Sequence, residues 1–322
     1  MTETFKALNG GTIEIPRGKL ADLKEALSGE LIGKGDSSYD DARTLWNGMI
    51  DRHPSQIVRA LNANDIQLTV NFARENDLLL AIKSGGHQIA GHAVADGAVL
   101  LDLSQMKDIK VDAGKATATV QPGCLLSDVD QATQAHGLAV PLGINSTTGV
   151  AGLTLGGGFG WITGKHGLTI DNLLSADVVC ADGVLRVADS TQNSDLYWAI
   201  RGGGGNFGVV SSFEFALHPI GPEVLSGLIV HPLADARSLL QSYRDICARA
   251  PDELTIWTVM RQAPPLPFIP EEWHGKEVLI FAACYAGDMK EGEKALEELR
   301  DLGQPIADVI GPHPYAGWQQ AF

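Results

Sequence analysis

Between two apolar runs, residues 78–82 and 98–103, the chain reads Lys83-Ser84-Gly85-Gly86-His87-Gln88-Ile89-Ala90-Gly91-His92. Each apolar run is typical of a buried strand, so the pattern predicts a strand, a glycine-rich loop and a second strand. Such a loop exposes backbone N–H groups with little side-chain bulk, and its glycines allow close approach or positive φ. These properties suit a pyrophosphate, and they equally suit a glycine-rich turn with a core or surface histidine. This stretch alone leaves both interpretations open.

Two later segments narrow the choice. They read Gly149-Val150-Ala151-Gly152-Leu153-Thr154-Leu155-Gly156-Gly157-Gly158-Phe159-Gly160-Trp161 and Leu196-Tyr197-Trp198-Ala199-Ile200-Arg201-Gly202-Gly203-Gly204-Gly205-Asn206-Phe207-Gly208-Val209-Val210. Together with Ser84-Gly85-Gly86-His87, they resemble the FAD-linked oxidases of the vanillyl-alcohol-oxidase/p-cresol-methylhydroxylase (PCMH-type) superfamily. Within it, the chain is most similar to the berberine-bridge-enzyme-like branch. The resemblance is dense from about residue 57 to residue 219 and continues more weakly to the end.

The resemblance implies an α+β protein with a PCMH-type FAD-binding fold and an antiparallel-sheet substrate domain. We expect the FAD-binding domain to cover residues 1–221, with a core of about 53–219, because prolines and a glycine punctuate residues 219–222. The substrate domain then covers 222–322. The family continues well beyond this length, so we expect the C-terminal part of that domain to be missing.

The same resemblance implies FAD as the cofactor, with His87 covalently joined to the 8α-methyl group of the isoalloxazine ring. A neutral imidazole is a nucleophile near neutral pH, so this chemistry is reasonable for His87. The other implied contacts to FAD are Lys83, Ser84, Gly85, Gly86, Gln88, Gly91, His92, Thr148, Gly149, Gly152, Gly157, Gly158 and the main chain of Val209.

Many members of the branch carry a second anchor, a cysteine in a Cys-Pro-Thr-x-Gly run. The matching segment here is Asn145-Ser146-Thr147-Thr148-Gly149, with Asn145 in place of the cysteine. Cys124 stands some twenty positions upstream, on another predicted element. We therefore expect a single histidyl link. Thr148 occupies the family position that lines the flavin face and affects oxygen access, so the choice between oxidase and dehydrogenase stays open.

The expected reaction removes a hydride from a C–H bond next to oxygen or nitrogen in a small organic substrate, and O₂ or another acceptor then reoxidises the flavin. No catalytic base is assigned. Tyr285, Tyr315 and Glu253 belong to the part that should face the substrate, but Tyr285 also fits a core or edge tyrosine and Glu253 a solvated turn acid. His92 and His166 are expected near the flavin. The alternative is a truncated flavin-binding protein without turnover.

The surrounding sequence excludes two other matches to nucleotide-binding motifs. Residues 203–208 match G-x-G-x-x-G, but a helix is predicted before them and a strand after them, the reverse of a dinucleotide-binding unit. Gly164-Lys165 lacks the earlier glycine of a phosphate-binding loop, because Phe159 stands there, and His166 replaces the required Ser or Thr.

Composition limits the partners. The 322 residues are 44% hydrophobic and carry a net charge of −15, which argues against nucleic acid and against an anionic membrane surface. No apolar run reaches the roughly 18 residues of a membrane helix, and the N-terminus shows no secretory signal, so a cytoplasmic location is expected. The four cysteines are far apart in sequence, and neither a metal site nor a disulfide framework is expected.

Hydrophobic periodicity predicts the local structure. A helix is expected over 20–31, a second helix capped by Asn64, a hairpin at Asp182-Gly183 and a helix capped by Ser194. After residue 222 the pattern predicts strand 224–231, helix 233–249, strands 253–261 and 277–285, and helix 288–302.

Overall fold

The computed structural model describes residues 1–321 and contains both helices and strands, as the α+β prediction required. The strands are β1 (Thr2–Lys6), β2 (Thr12–Pro16), β3 (Glu30–Gly33), β4 (Gln56–Arg59), β5 (Leu80–Lys83), β6 (Val99–Asp102), β7 (Ile109–Asp112), β8 (Thr117–Val120), β9 (Leu138–Ala139), β10 (Leu173–Val179), β11 (Leu185–Asp189), β12 (Val209–Ala216), β13 (His218–Pro219), β14 (Glu223–Pro232), β15 (Leu254–Gln262), β16 (Glu277–Tyr285), β17 (Ala307–Asp308) and β18 (Gly311–Pro314). The helices are α1 (Arg17–Ala26), α2 (Tyr39–Arg43), α3 (Ala63–Glu75), α4 (Leu126–Gln134), α5 (Val150–Leu155), α6 (Thr163–His166), α7 (Ser194–Ile200), α8 (Ala236–Cys247), α9 (Met289–Arg300) and α10 (Tyr315–Trp318).

A four-stranded sheet of order β3-β4-β6-β5 carries the glycine-rich loop. β4 and β5 both run parallel to β6, and all four residues of β6 are buried. Strands of a parallel sheet that is covered on both faces read as continuous apolar runs, which is why β6 lacks alternation. Because β5 and β6 end at the same edge, the loop that follows Lys83 leaves the sheet beside Asp102.

An antiparallel sheet of order β11-β10-β12-β8-β7 forms the second layer. β10 and β11 pair as the predicted hairpin around Asp182-Gly183. Phe213 and Phe215 of β12 are fully buried and pack with Val129 of α4 and Val150 of α5 in one core cluster. This packing places the start of α5 against the second sheet. Strand β12 of that sheet directly follows the last glycine-rich loop.

A third sheet, of order β15-β16-β14-β17 with β18 also paired to β14, follows residue 222. Its strand and helix order matches the prediction. Leu239 of α8 and Leu296 of α9 pack on Phe281 of β16 on one face. On the other face, Ala282 and Cys284 share a cluster with Trp161 and Tyr315. The domain boundary near 221 stays a prediction.

Three local predictions are wrong at helix ends. α1 ends at Ala26, and Leu31 lies in β3 rather than in the helix. A Cβ on Gly29 would lie 2.0 Å from the carbonyl oxygen of Arg59, so only glycine fits at this position. Residue 29 lies in the connection between α1 and β3. Asn62, not Asn64, caps α3, because its side chain accepts a hydrogen bond from the backbone N–H of Asp65. Ser194 is the first residue of α7, and Asn193 occupies the N-cap position instead.

Candidate cofactor-binding site

A cleft of about 720 Å³ opens where the three glycine-rich segments meet. The loop after β5 forms one wall, the start of α5 a second, and residues 204–210 before and within β12 a third. The structure places in its lining ten of the predicted FAD contacts: Ser84, Gly85, Gly86, His87, Gln88, His92, Thr148, Gly149, Gly152 and Val209. Their role in binding FAD stays a prediction.

The glycines of the cleft are of two kinds. Gly85 and Gly149 touch each other, since a Cβ on Gly85 would lie 2.5 Å from the backbone N and Cα of Gly149. Gly152 and Gly205 instead face open space, because a Cβ on either would have no neighbour within 4 Å. The first pair brings two loops together without side chains between them, and the second pair leaves bare backbone on the cleft wall. A cofactor that approaches the main chain closely fits such a wall.

His87 lies on the cleft wall and is held from three sides. Its Nε2 is 3.2 Å from the hydroxyl oxygen of Thr147, and its Nδ1 is 3.4 Å from that of Thr148. The ring stacks on Trp46, with 5.2 Å between centroids and an interplanar angle of 25°. Burial lowers the pKa of His87, and hydrogen bonding to the backbone of Thr147 partly offsets that shift. The imidazole is therefore neutral at neutral pH, which is the form that acts as a nucleophile.

Four predicted contacts do not line the cleft. Lys83 is buried, with its ammonium bonded to the carbonyl of Ala42 and 3.8 Å from Asp102, and burial lowers its pKa. The carbonyl of Gly91 accepts a hydrogen bond from the Arg52 side chain. The carbonyl of Gly158 accepts a hydrogen bond from the backbone N–H of Thr169, and the carbonyl of Gly157 accepts one from that of Ile170. None of the four lines the cleft, although Gly158 lines a smaller neighbouring pocket, and their contact with FAD stays untested.

A smaller pocket of about 400 Å³ adjoins the cleft and shares Thr148, Leu153 and Gly156 with it. Phe159 and Trp257 form its aromatic wall, with ring centroids 5.9 Å apart. Its lining holds no charged side chain, and its polar side chains are those of Asn145 and Thr148. Trp257 belongs to β15 of the third sheet, so this pocket brings residues from both sides of residue 221 together.

The other sequence candidates are scattered. His92 lines the cleft and is exposed, whereas His166 stacks on His218 with 3.9 Å between ring centroids. Burial, together with the nearby His218, lowers the pKa of His166 to about 4. The three remaining candidates, expected on the substrate side, line neither pocket. Tyr285 and Tyr315 are buried in core clusters, and the Glu253 carboxylate lies 3.5 Å from the ammonium of Lys165.

Sequence reasoning missed two contributors to the site. Trp46 lies 41 positions before His87, outside every motif, and only the fold stacks the two rings. Asn206 also lines the cleft; it belongs to residues 203–208, the G-x-G-x-x-G match whose neighbouring elements exclude a dinucleotide-binding unit. The match to that motif was a usable signal for the cleft, although the order of elements excluded a dinucleotide-binding unit.

Cys124 lies away from both pockets. It is fully buried, and burial raises the pKa of its thiol to about 12. Within residues 1–321 no group of His, Cys, Asp and Glu side chains is arranged to hold a metal ion. None of the helices in the same range combines the length and apolar character that a bilayer crossing requires.

One protein-family model matches the part of the chain that forms two of the three cleft walls. The profile of a family described as "FAD binding domain" matches residues 54–189, a range that holds the glycine-rich loop and the start of α5. The chain contains an FAD-binding domain. The predicted cofactor and the predicted resemblance to FAD-linked oxidases of the PCMH-type superfamily are therefore confirmed.

Curated relatives match most of this chain but only part of their own length. An FAD-linked oxidoreductase of Dictyostelium discoideum is 34% identical over 92% of this chain and 62% of its own length. The (R)-6-hydroxynicotine oxidase of Paenarthrobacter nicotinovorans is 31% identical over 90% of this chain and 62% of its own length. The chain thus spans about 62% of the length of these relatives.

A solved structure supports the fold as well as the domain. The crystal structure of 6-hydroxy-D-nicotine oxidase from Arthrobacter nicotinovorans superposes with a TM-score of 0.83 at 30% identity, covering 91% of this chain and 63% of that one. The predicted PCMH-type fold is confirmed by this match.

Proposed function

We propose that this chain belongs to an FAD-dependent oxidoreductase in which the flavin is covalently linked through His87. The enzyme removes a hydride from a C–H bond next to oxygen or nitrogen in a small organic substrate. The observation that carries the proposal is the position of His87, a neutral imidazole on the wall of the FAD cleft with hydroxyls at both ring nitrogens. When bound, FAD supplies the redox chemistry, taking up the hydride and passing the electrons to O₂ or another acceptor.

The residues present fit the cofactor. A cleft of about 720 Å³ is within the size range of cofactor sites in proteins. The bare backbone at Gly152 and Gly205 permits close approach of a large ligand, and the contact between Gly85 and Gly149 holds the two loops at a defined spacing. The protein's part is to bind and orient the flavin and to hold His87 in place.

The proposed link joins a ring nitrogen of His87 to the 8α-methyl carbon of the flavin. Forming it replaces one methyl C–H bond and the imidazole N–H bond by a C–N bond. Two protons and two electrons are released, and O₂ or another acceptor takes up the electrons. A neutral imidazole favours this bond, since its unprotonated nitrogen carries the attacking lone pair.

We further propose that the small substrate occupies the pocket of Phe159 and Trp257. The aromatic wall of Phe159 and Trp257 and the lack of charged side chains in the lining suit the binding of a flat, uncharged part of the substrate. The pocket adjoins the FAD cleft at Thr148, as a hydride donor requires. A small-molecule substrate also agrees with the name of the relative (R)-6-hydroxynicotine oxidase.

The second candidate function is flavin binding without turnover. It is favoured by one observation, that the chain spans about 62% of the length of its relatives. Activity that is gained only when a longer gene product is expressed would support this candidate for the 322-residue chain. Turnover by the chain itself would eliminate it.

Acid precipitation of purified protein tests the link. We expect a yellow pellet from the wild type and from His92→Ala, and a colourless pellet with yellow supernatant from His87→Ala. His92 is a matched control because it lines the same cleft in the same loop. A yellow pellet from His87→Ala would show that another residue is the anchor. A colourless wild-type protein would contradict FAD binding by this chain.

A further inference from the structure

A chain of hydrogen bonds runs from Asn145 through Thr147 to His87. The backbone N–H of Thr147 lies 3.2 Å from Oδ1 of Asn145. Because a backbone N–H only donates, the side-chain atom that faces it must be the amide oxygen. The Thr147 hydroxyl lies 2.8 Å from the same oxygen, and so it donates its single hydrogen to Asn145.

The direction of that bond decides how Thr147 meets the imidazole. With its hydrogen given to Asn145, the hydroxyl oxygen has only lone pairs to offer Nε2 of His87, 3.2 Å away. Nε2 must then carry the hydrogen and donate it. A neutral imidazole has one N–H, so Nδ1 keeps its lone pair, and the hydroxyl of Thr148, 3.4 Å from Nδ1, can donate to it.

We propose that Asn145 is a positioning residue that fixes the Nε2–H tautomer of His87 through Thr147 and so makes Nδ1 the nitrogen that bonds to the flavin. The inference rests on the proposed covalent link and adds its regiochemistry. Asn145 stands where the resemblance places a second anchoring cysteine. In this chain the residue at that position therefore acts on the histidyl link indirectly. Asn145 sets the tautomer of the His87 ring, and the stacked Trp46 holds the plane of that ring.

The tautomer is measured directly by two-bond ¹H–¹⁵N correlation spectra of histidine-labelled protein, produced without riboflavin in an auxotrophic host and recorded at pH 8. The His87 signals are assigned by their absence in His87→Gln. We expect the Nε2–H pattern in the wild type and a mixture of tautomers in Asn145→Ala and Thr147→Val. Thr147→Ser keeps the hydroxyl and should retain the wild-type pattern, as should Asn145→Asp, which keeps an acceptor oxygen.

The rate of covalent attachment after addition of FAD supplies a second measurement. Losing a hydrogen bond of ordinary strength should slow attachment in Asn145→Ala and Thr147→Val by roughly two- to tenfold. Thr147→Ser should stay within about twofold of the wild type on the same basis. Flavin absorbance of the acid pellet at timed intervals gives the rate, and equilibrium dialysis before attachment shows whether initial FAD binding is retained.

The outcomes separate this inference from the proposed function. A wild-type His87 in the Nδ1–H form, or one whose tautomer ratio is unchanged in Asn145→Ala, overturns the inference even if the flavin is covalent. A link from Nε2, identified by NMR of the flavin peptide after proteolysis, overturns it as well. Bound FAD that acid extracts from the wild type defeats the covalent link, whereas the spectra still test the hydrogen-bond chain.

Discussion

Gly85 and Gly149 approach so closely that neither position has room for a β-carbon. A Cβ on Gly85 would lie 2.5 Å from the backbone N and Cα of Gly149, and a Cβ on Gly149 would lie 2.6 Å from the backbone N of Gly85. The loop after β5 and the start of α5 therefore meet main chain to main chain. This contact joins two walls of the cleft, and no flexible side chain is present there to relieve a clash.

Gly85→Ala should destabilise the protein. The new methyl group meets only backbone, so the two loops must separate, and overpacking of this kind typically costs about 1–3 kcal/mol. Urea unfolding measures the free energy of unfolding, and dialysis against FAD measures the expected loss of affinity. A variant whose stability stays within about 0.5 kcal/mol of the wild type would show that the loops separate without strain.

Gly152→Ala should have the opposite effect on stability. Gly152 lies inside α5, and a Cβ there would meet no atom within 4 Å. Because alanine is the better helix former, the FAD-free protein should gain up to about 1 kcal/mol. The methyl group points into open space at the cleft wall, so FAD affinity should fall. Thermal unfolding with and without FAD separates the two effects, and equal shifts in both conditions would contradict the placement of Gly152.

Asp130 should make stability depend on pH. It is completely buried in α4, and burial raises its pKa to about 7, although hydrogen bonding from Gln319 acts in the opposite direction. The folded protein then keeps a proton that the unfolded chain releases near the ordinary aspartate pKa of 3.8. The stabilising contribution is complete below pH 4 and is lost as the pH rises to about 7.

Asp130→Asn should remove that dependence. The amide cannot ionise, so the variant should be more stable than the wild type at pH 8, by on the order of 2 kcal/mol. The free energy of unfolding in urea at pH 5 and pH 8 gives the comparison. Asp22→Asn, on the exposed side of α1, is the control and should change little. A wild type that is equally stable at both pH values would contradict the ionisation of Asp130.

Cys124→Ala should leave the flavin link intact. The thiol is buried in the core with Leu126 and Val150, away from the cleft lining. The fluorescence of the protein band on a denaturing gel after acid treatment measures covalent flavin. Loss of that fluorescence in Cys124→Ala, with the fold retained by circular dichroism, would identify a second anchor that the structure does not place at the flavin.

Local patterns in the sequence predicted the elements and the cofactor. The apolar runs of β5 and β6, the hairpin at Asp182-Gly183 and the order of elements after residue 222 are set by neighbours within a few positions. The glycine-rich motifs resembled those of FAD-linked oxidases because backbone approach to a ligand demands glycine at particular positions. Such signals are readable from a single chain.

Tertiary structure decided the details that give the site its chemistry. The stacking of Trp46 on His87, the passage of Gly29 beside Arg59 and the burial of Lys83 against Asp102 each join residues that are far apart in sequence. No local propensity encodes these contacts, since each depends on how sheets and loops pack. By itself, therefore, the sequence determined the glycine-rich loops and the histidine that lines the cleft between them. The fold decided which ring nitrogen of that histidine carries the proton, because hydrogen-bond direction depends on geometry among separate segments.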